Sequence, residues 1–307
     1  MAALCCAVLS GCEIVAPAQP PRVAAPAPVE PRYQPSADSR AVAAYLAGLE
    51  QNLRVRGLMR TDGGTVDAPF TDRQLAENFI QIALFDEHPA TRFGGSVAPK
   101  EESLRRWNMP VRIALRPGRS VDAQARATQA SILSGYARRL STVTGHPITV
   151  VAPGQENFTV FVVDEDERRA LGPALQRAVP GIGRDTVRAI TGMPREVSCL
   201  VVAFSRGGAR TYSRAVTVIR SEHPPASWRS CLHEEVAQGL GLSNDSRRAR
   251  PSIFNDDEEF ALLTRHDELL LSMLYDPRLR PGMTVAEATP IVRALAAEKL
   301  SAGPPGS

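Results

Sequence analysis

Apolar residues first fall into a helical rhythm at Arg40. Val42, Tyr45, Leu46, Leu49 and Leu53 line one face of "RAVAAYLAGLEQNLRVRGL". "TDGGTVDAP" breaks that rhythm, and "FTDRQLAENFIQIALFDE" begins a second helix. Its Thr71 and Gln74 have capping-box spacing, and Leu75, Phe79 and Ile82 share a face. In "RWNMPVRIALRPG" the period shortens to two, predicting a strand over Val111–Leu115. A long helix follows in "SVDAQARATQASILSGYARRLSTVTG" and should stop at Gly145. "PITVV" and "NFTVFVVD" read as strands, and residues 165–195 as short helices. "SCLVVAFS" and "YSRAVTVI" flank Gly207-Gly208, which predicts a hairpin.

Three helices close the chain. "PPASWRSCLHEEVAQGLGL" predicts one ending at Gly241, and "DDEEFALLTRHDELLLSMLYDP" one running to Pro277. The third is "TVAEATPIVRALAAEKL", with Thr284 as cap and Pro290 inside it. This order of elements predicts a single α+β domain over residues 40–300, with a disordered tail at 301–307.

Composition adds a compartment. Of 307 residues, 43% are hydrophobic, enough for a sizeable core. The net charge is +3 with no basic block, and aromatics are only 5%. Nucleic acid is therefore not the expected partner. Residues 1–11 are apolar and end in Leu9-Ser10-Gly11 before Cys12. This resembles a bacterial lipobox, which implies lipidation of Cys12. The run is too short to span a bilayer, which takes about 20 residues. It also lacks a leading Lys or Arg, so the true signal start is expected upstream. The plainer reading is a soluble chain with an apolar start. Residues 12–39 are rich in Pro and Ala and read as a tether. Glu13, rather than Asp, resembles the sorting signal of outer-membrane lipoproteins facing the periplasm.

With Cys5 and Cys6 in the signal and Cys12 carrying lipid, Cys199 and Cys231 remain. A disulfide between them is the simple expectation for an exported domain, and two buried thiols are the alternative.

The candidate chemistry lies in "CLHEEVAQGLGLSND", Cys231 to Asp245. His233-Glu234 opens like a zinc-protease helix, but Ala237 stands where the second histidine is needed. Moved on by one residue, the stretch resembles a metzincin site. Glu234 takes the first ligand position, Glu235 the general base, Gln238 the second ligand, Gly241 the turn and Asn244 the third ligand. Asp245 matches the acidic residue that often follows. Met273 in "LSMLYDP" resembles the methionine turn, although such a run on a helix also reads simply as core.

The stretches "FTDRQLAENFIQIAL", "RRWNMPVRIAL", "CLHEEVAQGLGLSND", "SIFNDDEEFALLT" and "LYDPRLRPGM" also resemble an uncharacterised family of proteobacterial exported proteins. That resemblance covers about Phe70 to Met283 and implies a zincin-like domain of unknown function.

Zinc prefers imidazole and thiolate, so a Glu, Gln, Asn set predicts no zinc cofactor. It would suit a harder divalent ion better. Three readings follow. The preferred one is a degenerate, non-catalytic, zincin-like envelope lipoprotein that binds a peptide or an envelope protein or has a structural role. The alternatives are a metal-dependent hydrolase with Glu235 as base and a purely structural envelope protein. His233 is expected beside the site, solvated or hydrogen-bonded. His88, His146, His223 and His266 have no metal spacing. Asp256-Asp257-Glu258-Glu259 reads as a solvated helix start, with a Ca²⁺ loop as the sharper option. Arg105-Arg106-Trp107 reads as a strand edge with Trp107 in the core.

Overall fold

The computed structural model describes residues 33–64, 66–86, 100–255 and 257–301, all within one compact unit, Tyr33–Ser307. Cys12, the expected signal, most of the tether, His88, Asp256 and residues 302–307 lie outside the described residues. The element order starts with α1 (Ala37–Val55), α2 (Asp72–Ala83), β1 (Phe85–Asp86), β2 (Lys100–Glu101), β3 (Arg106–Trp107) and β4 (Val111–Pro117). It continues with α3 (Ala123–Thr144), β5 (Ile148–Val150), β6 (Phe158–Val163), α4 (Glu165–Arg169), α5 (Gly172–Ala178) and α6 (Arg184–Thr191). The last elements are β7 (Cys199–Ser205), β8 (Thr211–Arg220), α7 (Pro225–Gln238), α8 (Arg265–Leu274) and α9 (Val285–Ser301).

The main sheet is mostly parallel. β5, β4, β6 and β8 lie side by side in parallel, β3 pairs in parallel with the start of β8, and β7 joins β8 antiparallel. The α3 crossover returns the chain from β4 to β5 in the same direction, which only a long connection allows. The expected α+β class thus becomes a mixed α/β fold, in which β7 and β8 form an antiparallel hairpin at Gly207-Gly208 and the short β1 and β2 pair antiparallel in a separate sheet.

Both faces of the sheet are covered. On β6, Val160 and Val162 enter the large core with α2, α3, α7, α8 and α9, while Phe161 and Val163 enter a second cluster with Leu171, Leu175 and Ile190. All six residues of β6 are buried, as expected of a central parallel strand. The capping box at α2 forms as its spacing predicts. The Thr71 hydroxyl accepts from the Gln74 amide at 3.2 Å and Gln74 Oε1 accepts from the Thr71 amide at 2.8 Å. Gly145 takes the left-handed conformation that stops α3, at φ 65°.

Two helix limits differ from the sequence pattern. α7 ends at Gln238, with Gly239 as its right-handed cap, so Gly241 lies beyond the helix at φ 131°. The acidic run does not start a helix. Asp257 accepts from the Glu259 amide at 2.9 Å and Glu258 has φ 57°, so this stretch satisfies its own backbone in turns. α8 starts later, at the Thr264–Asp267 capping box, where Asp267 also accepts from Ser252 Oγ at 2.5 Å and the Ile253 amide at 3.1 Å. Met273 lies within α8 and is fully buried in the core, rather than in a turn. No described helix is long and apolar enough to cross a membrane.

Candidate functional site

The disulfide forms between Cys199 and Cys231, with Cα atoms 6.0 Å apart. It ties the start of β7 to the middle of α7. Beside it lies a cavity of about 210 Å³. Its walls come from separate parts of the chain. α7 supplies Glu234 and Glu235, the segment before β7 supplies Glu196 and Ser198, and α1 supplies Leu46, Leu49 and Leu53. Met59, Glu258 and His223 also line it.

The helical spacing that made Glu234 and Gln238 neighbours does not bring the whole motif to this cavity. Glu235 is buried and Glu234 half-buried, both at the cavity. Gln238 lies away from its lining and donates through Nε2 to Asp245 Oδ1 at 3.1 Å. Asn244 is buried against the end of α2. Its Nδ2 donates to the Gln81 carbonyl at 2.9 Å and its amide to the Ile82 carbonyl at 3.1 Å. Those carbonyls are orphans of the last helical turn, so Asn244 works as a remote C-cap. Gly241 permits the turn between these halves. A Cβ there would collide with the Arg105 carbonyl oxygen, so the glycine is needed for close approach as well as for its φ.

Trp107 reads as expected: it is core, and its indole donates to the Gly239 carbonyl at 2.8 Å. Tyr275 Oη donates to the Leu240 carbonyl at 3.0 Å. Two aromatic side chains thus donate to the carbonyls freed where α7 ends.

His233 is a core residue. Its Nδ1 accepts from the Leu263 amide at 3.1 Å, and its ring stacks on Tyr136. Burial pushes its pKa down to about 3, so it is neutral at physiological pH. His223 is also kept neutral by burial, its pKa pushed down to about 4. Its Nε2 lies 3.0 Å from the Ser198 carbonyl and 3.7 Å from Cys231 Sγ. His223 reaches the cleft through the turn that follows β8; its position ahead of Pro224-Pro225 allows an approach to the motif helix without fixing it. His146 rests against Tyr275, and His266 is buried 3.0 Å from Asn78 Nδ2.

Among the described residues, no group of three or more His, Cys, Asp or Glu is placed to hold a metal ion. The Glu234, Gln238, Asn244 set does not fit zinc. It offers one carboxylate and two amide oxygens with no imidazole or thiolate, and the side chains of Gln238 and Asn244 are held against Asp245 and Gln81 rather than beside Glu234 in the cavity lining. What the cleft presents chemically is carboxylate, hydroxyl and neutral imidazole around an apolar wall.

The family model described as a protein of unknown function, DUF2927, matches residues 72–294. The chain belongs to that family. No curated protein matches it. The matched span includes β7, α7 and the Gly241 turn, and excludes α1.

Proposed function

We propose that this DUF2927 protein is a lipid-anchored protein of the bacterial cell envelope whose domain is zincin-like but degenerate. Its cleft binds a peptide or an envelope protein and does not perform zinc hydrolysis. The observation that carries this reading is the division of the motif. Glu234 and Glu235 line the cavity, while Gln238 and Asn244 hold the polypeptide together. A motif helix, a glycine turn and a long helix behind a mixed sheet support the zincin-like shape. Glu196, Glu234, Glu235 and Glu258 in the lining disfavour anionic ligands.

The second reading is a hydrolase in which Glu235 acts as general base beside a metal on Glu234, Gln238 and Asn244. The buried position of Glu235 at the cavity favours it. Elemental analysis of protein purified without chelator separates the two. The binding reading expects no stoichiometric ion. A stoichiometric ion that disappears in Glu234→Ala would overturn it. For the anchor, the wild-type protein is expected in the membrane fraction and Cys12→Ser in the soluble fraction.

A further inference from the structure

We infer that α1 is a detachable cover over the cleft, and that its release opens the Glu234–Glu235 face to a partner. This deepens the reading of the cleft as a binding site and rests on it for its purpose.

Four observations point the same way. First, α1 lines the cavity through Leu46, Leu49 and Leu53, together with Glu234 and Glu235 of α7. Second, it belongs to neither large core cluster. Val42, Leu46 and Leu53 are buried, but only Leu53 enters a cluster, a small one with Met59 and Ala261. An element held this way can open without unfolding the sheet, because local opening follows the density of buried apolar contacts.

Third, its fastenings are polar side-chain contacts. Glu50 accepts from the Ser227 amide at 3.0 Å and from Ser227 Oγ at 2.7 Å. Pro224, at the N-cap of α7, gives no side-chain cap, so a carboxylate from α1 caps that helix instead. Nearer the start of α1, Ser39 Oγ donates to Glu222 at 2.9 Å, Asp38 pairs with Arg169 at 2.8 Å, and Arg195 lies 5.0 Å above the Tyr45 ring. Tyr33, just ahead of the helix, donates to Asp164. Each of these can be exchanged for water or for groups on a ligand.

Fourth, a hinge stands at the right end. α1 stops at Val55 and Gly57 turns the chain at φ 76°. Immediately afterwards the backbone is pinned. Met59 N–H donates to the Glu258 carbonyl at 2.8 Å and Arg60 N–H to the Glu259 carbonyl at 2.7 Å. The helix can therefore swing about residues 56–58 while Met59 and Glu258, which also line the cavity, stay in place. α1 also lies outside the span matched by the family model, whereas the walls it covers lie within it.

Hydrogen exchange read by mass spectrometry on the full chain tests this. Amides of α1 should exchange at least about tenfold faster than those of α7 and β7 at neutral pH. Glu50→Gln should speed α1 by about a further tenfold, the loss expected for hydrogen bonds to a charged group, and leave β7 unchanged. Tyr45→Ala, which removes the stacking partner of Arg195, should act in the same direction. Exchange of α1 in step with α7 and β7 in all three proteins would overturn the cover. The measurement needs no ligand. It can therefore fail while the binding reading stands, and it can succeed even if metal analysis sinks that reading.

Discussion

The imidazole of His233 lies flat on the ring of Tyr136, centroids 4.0 Å apart and planes within 13°, and Tyr136 Oη donates back to the His233 carbonyl at 2.7 Å. This pair joins α3 to α7 in the core. The histidine that makes the motif look like a zinc helix is thus a packing residue. His233→Ala should destabilise the fold by about 3 kcal/mol, through a lost ring and an unsatisfied Leu263 amide. Cleft binding should survive. Urea denaturation provides the check, and a loss below about 1 kcal/mol would contradict the packing role.

His223 predicts a pH dependence. Its folded pKa, about 4, lies below the usual 6.5 of the unfolded chain because burial disfavours the charged ring. The unfolded state therefore takes up the proton first. The full contribution is present above pH 6.5 and is lost as pH falls from there towards 4. By pH 5 the loss should be roughly 2 kcal/mol. His233 acts in the same direction. Unfolding free energy of wild type and His223→Gln, measured at pH 7.5 and 5, should show a steeper fall in the wild type. Equal falls would remove His223 as the cause.

Local features were legible in the sequence because their partners are near in the chain. Thr71 and Gln74 announce the α2 cap, and Gly207-Gly208 the hairpin. Gly145 announces the end of α3. Cys199 and Cys231 were paired by compartment and elimination, and the structure joins them. The cleft was not legible. Its lining is gathered from α1, from the approach to β7, from the turn after β8 and from α7, and no periodicity connects those segments. Asn244 shows the same limit. It resembled a ligand by spacing, but its partner Gln81 lies 163 positions away. The run Asp256-Asp257-Glu258-Glu259 has the composition of a helix start, which cannot be told from that of residues that cap their own turns, as Asp257 does for Glu259.

The disulfide should be a major support. It closes a loop with a sequence separation of 32, and removing such a link costs about 3–4 kcal/mol in the chain-entropy account. It also fixes β7 to α7 beside the cavity. The double variant Cys199→Ser, Cys231→Ser should lose about that much, read as a lower urea midpoint. An unchanged midpoint would show that packing alone holds the two walls together.

The two halves of the motif should separate by experiment. Asn244→Ala removes the amide that caps Gln81 and should cost about 1–2 kcal/mol, while leaving the Glu234–Glu235 wall intact. Gly241→Ala should cost more, about 2–4 kcal/mol, because its φ of 131° and the nearby Arg105 carbonyl leave no room for a Cβ. Glu234 is half-buried at the cavity, and Glu234→Gln should alter the charge that a ligand meets there. If instead Asn244→Ala left stability unchanged and abolished binding of a divalent ion, Asn244 would be a ligand. The division between a structural and a cleft-facing half of the motif would then fail.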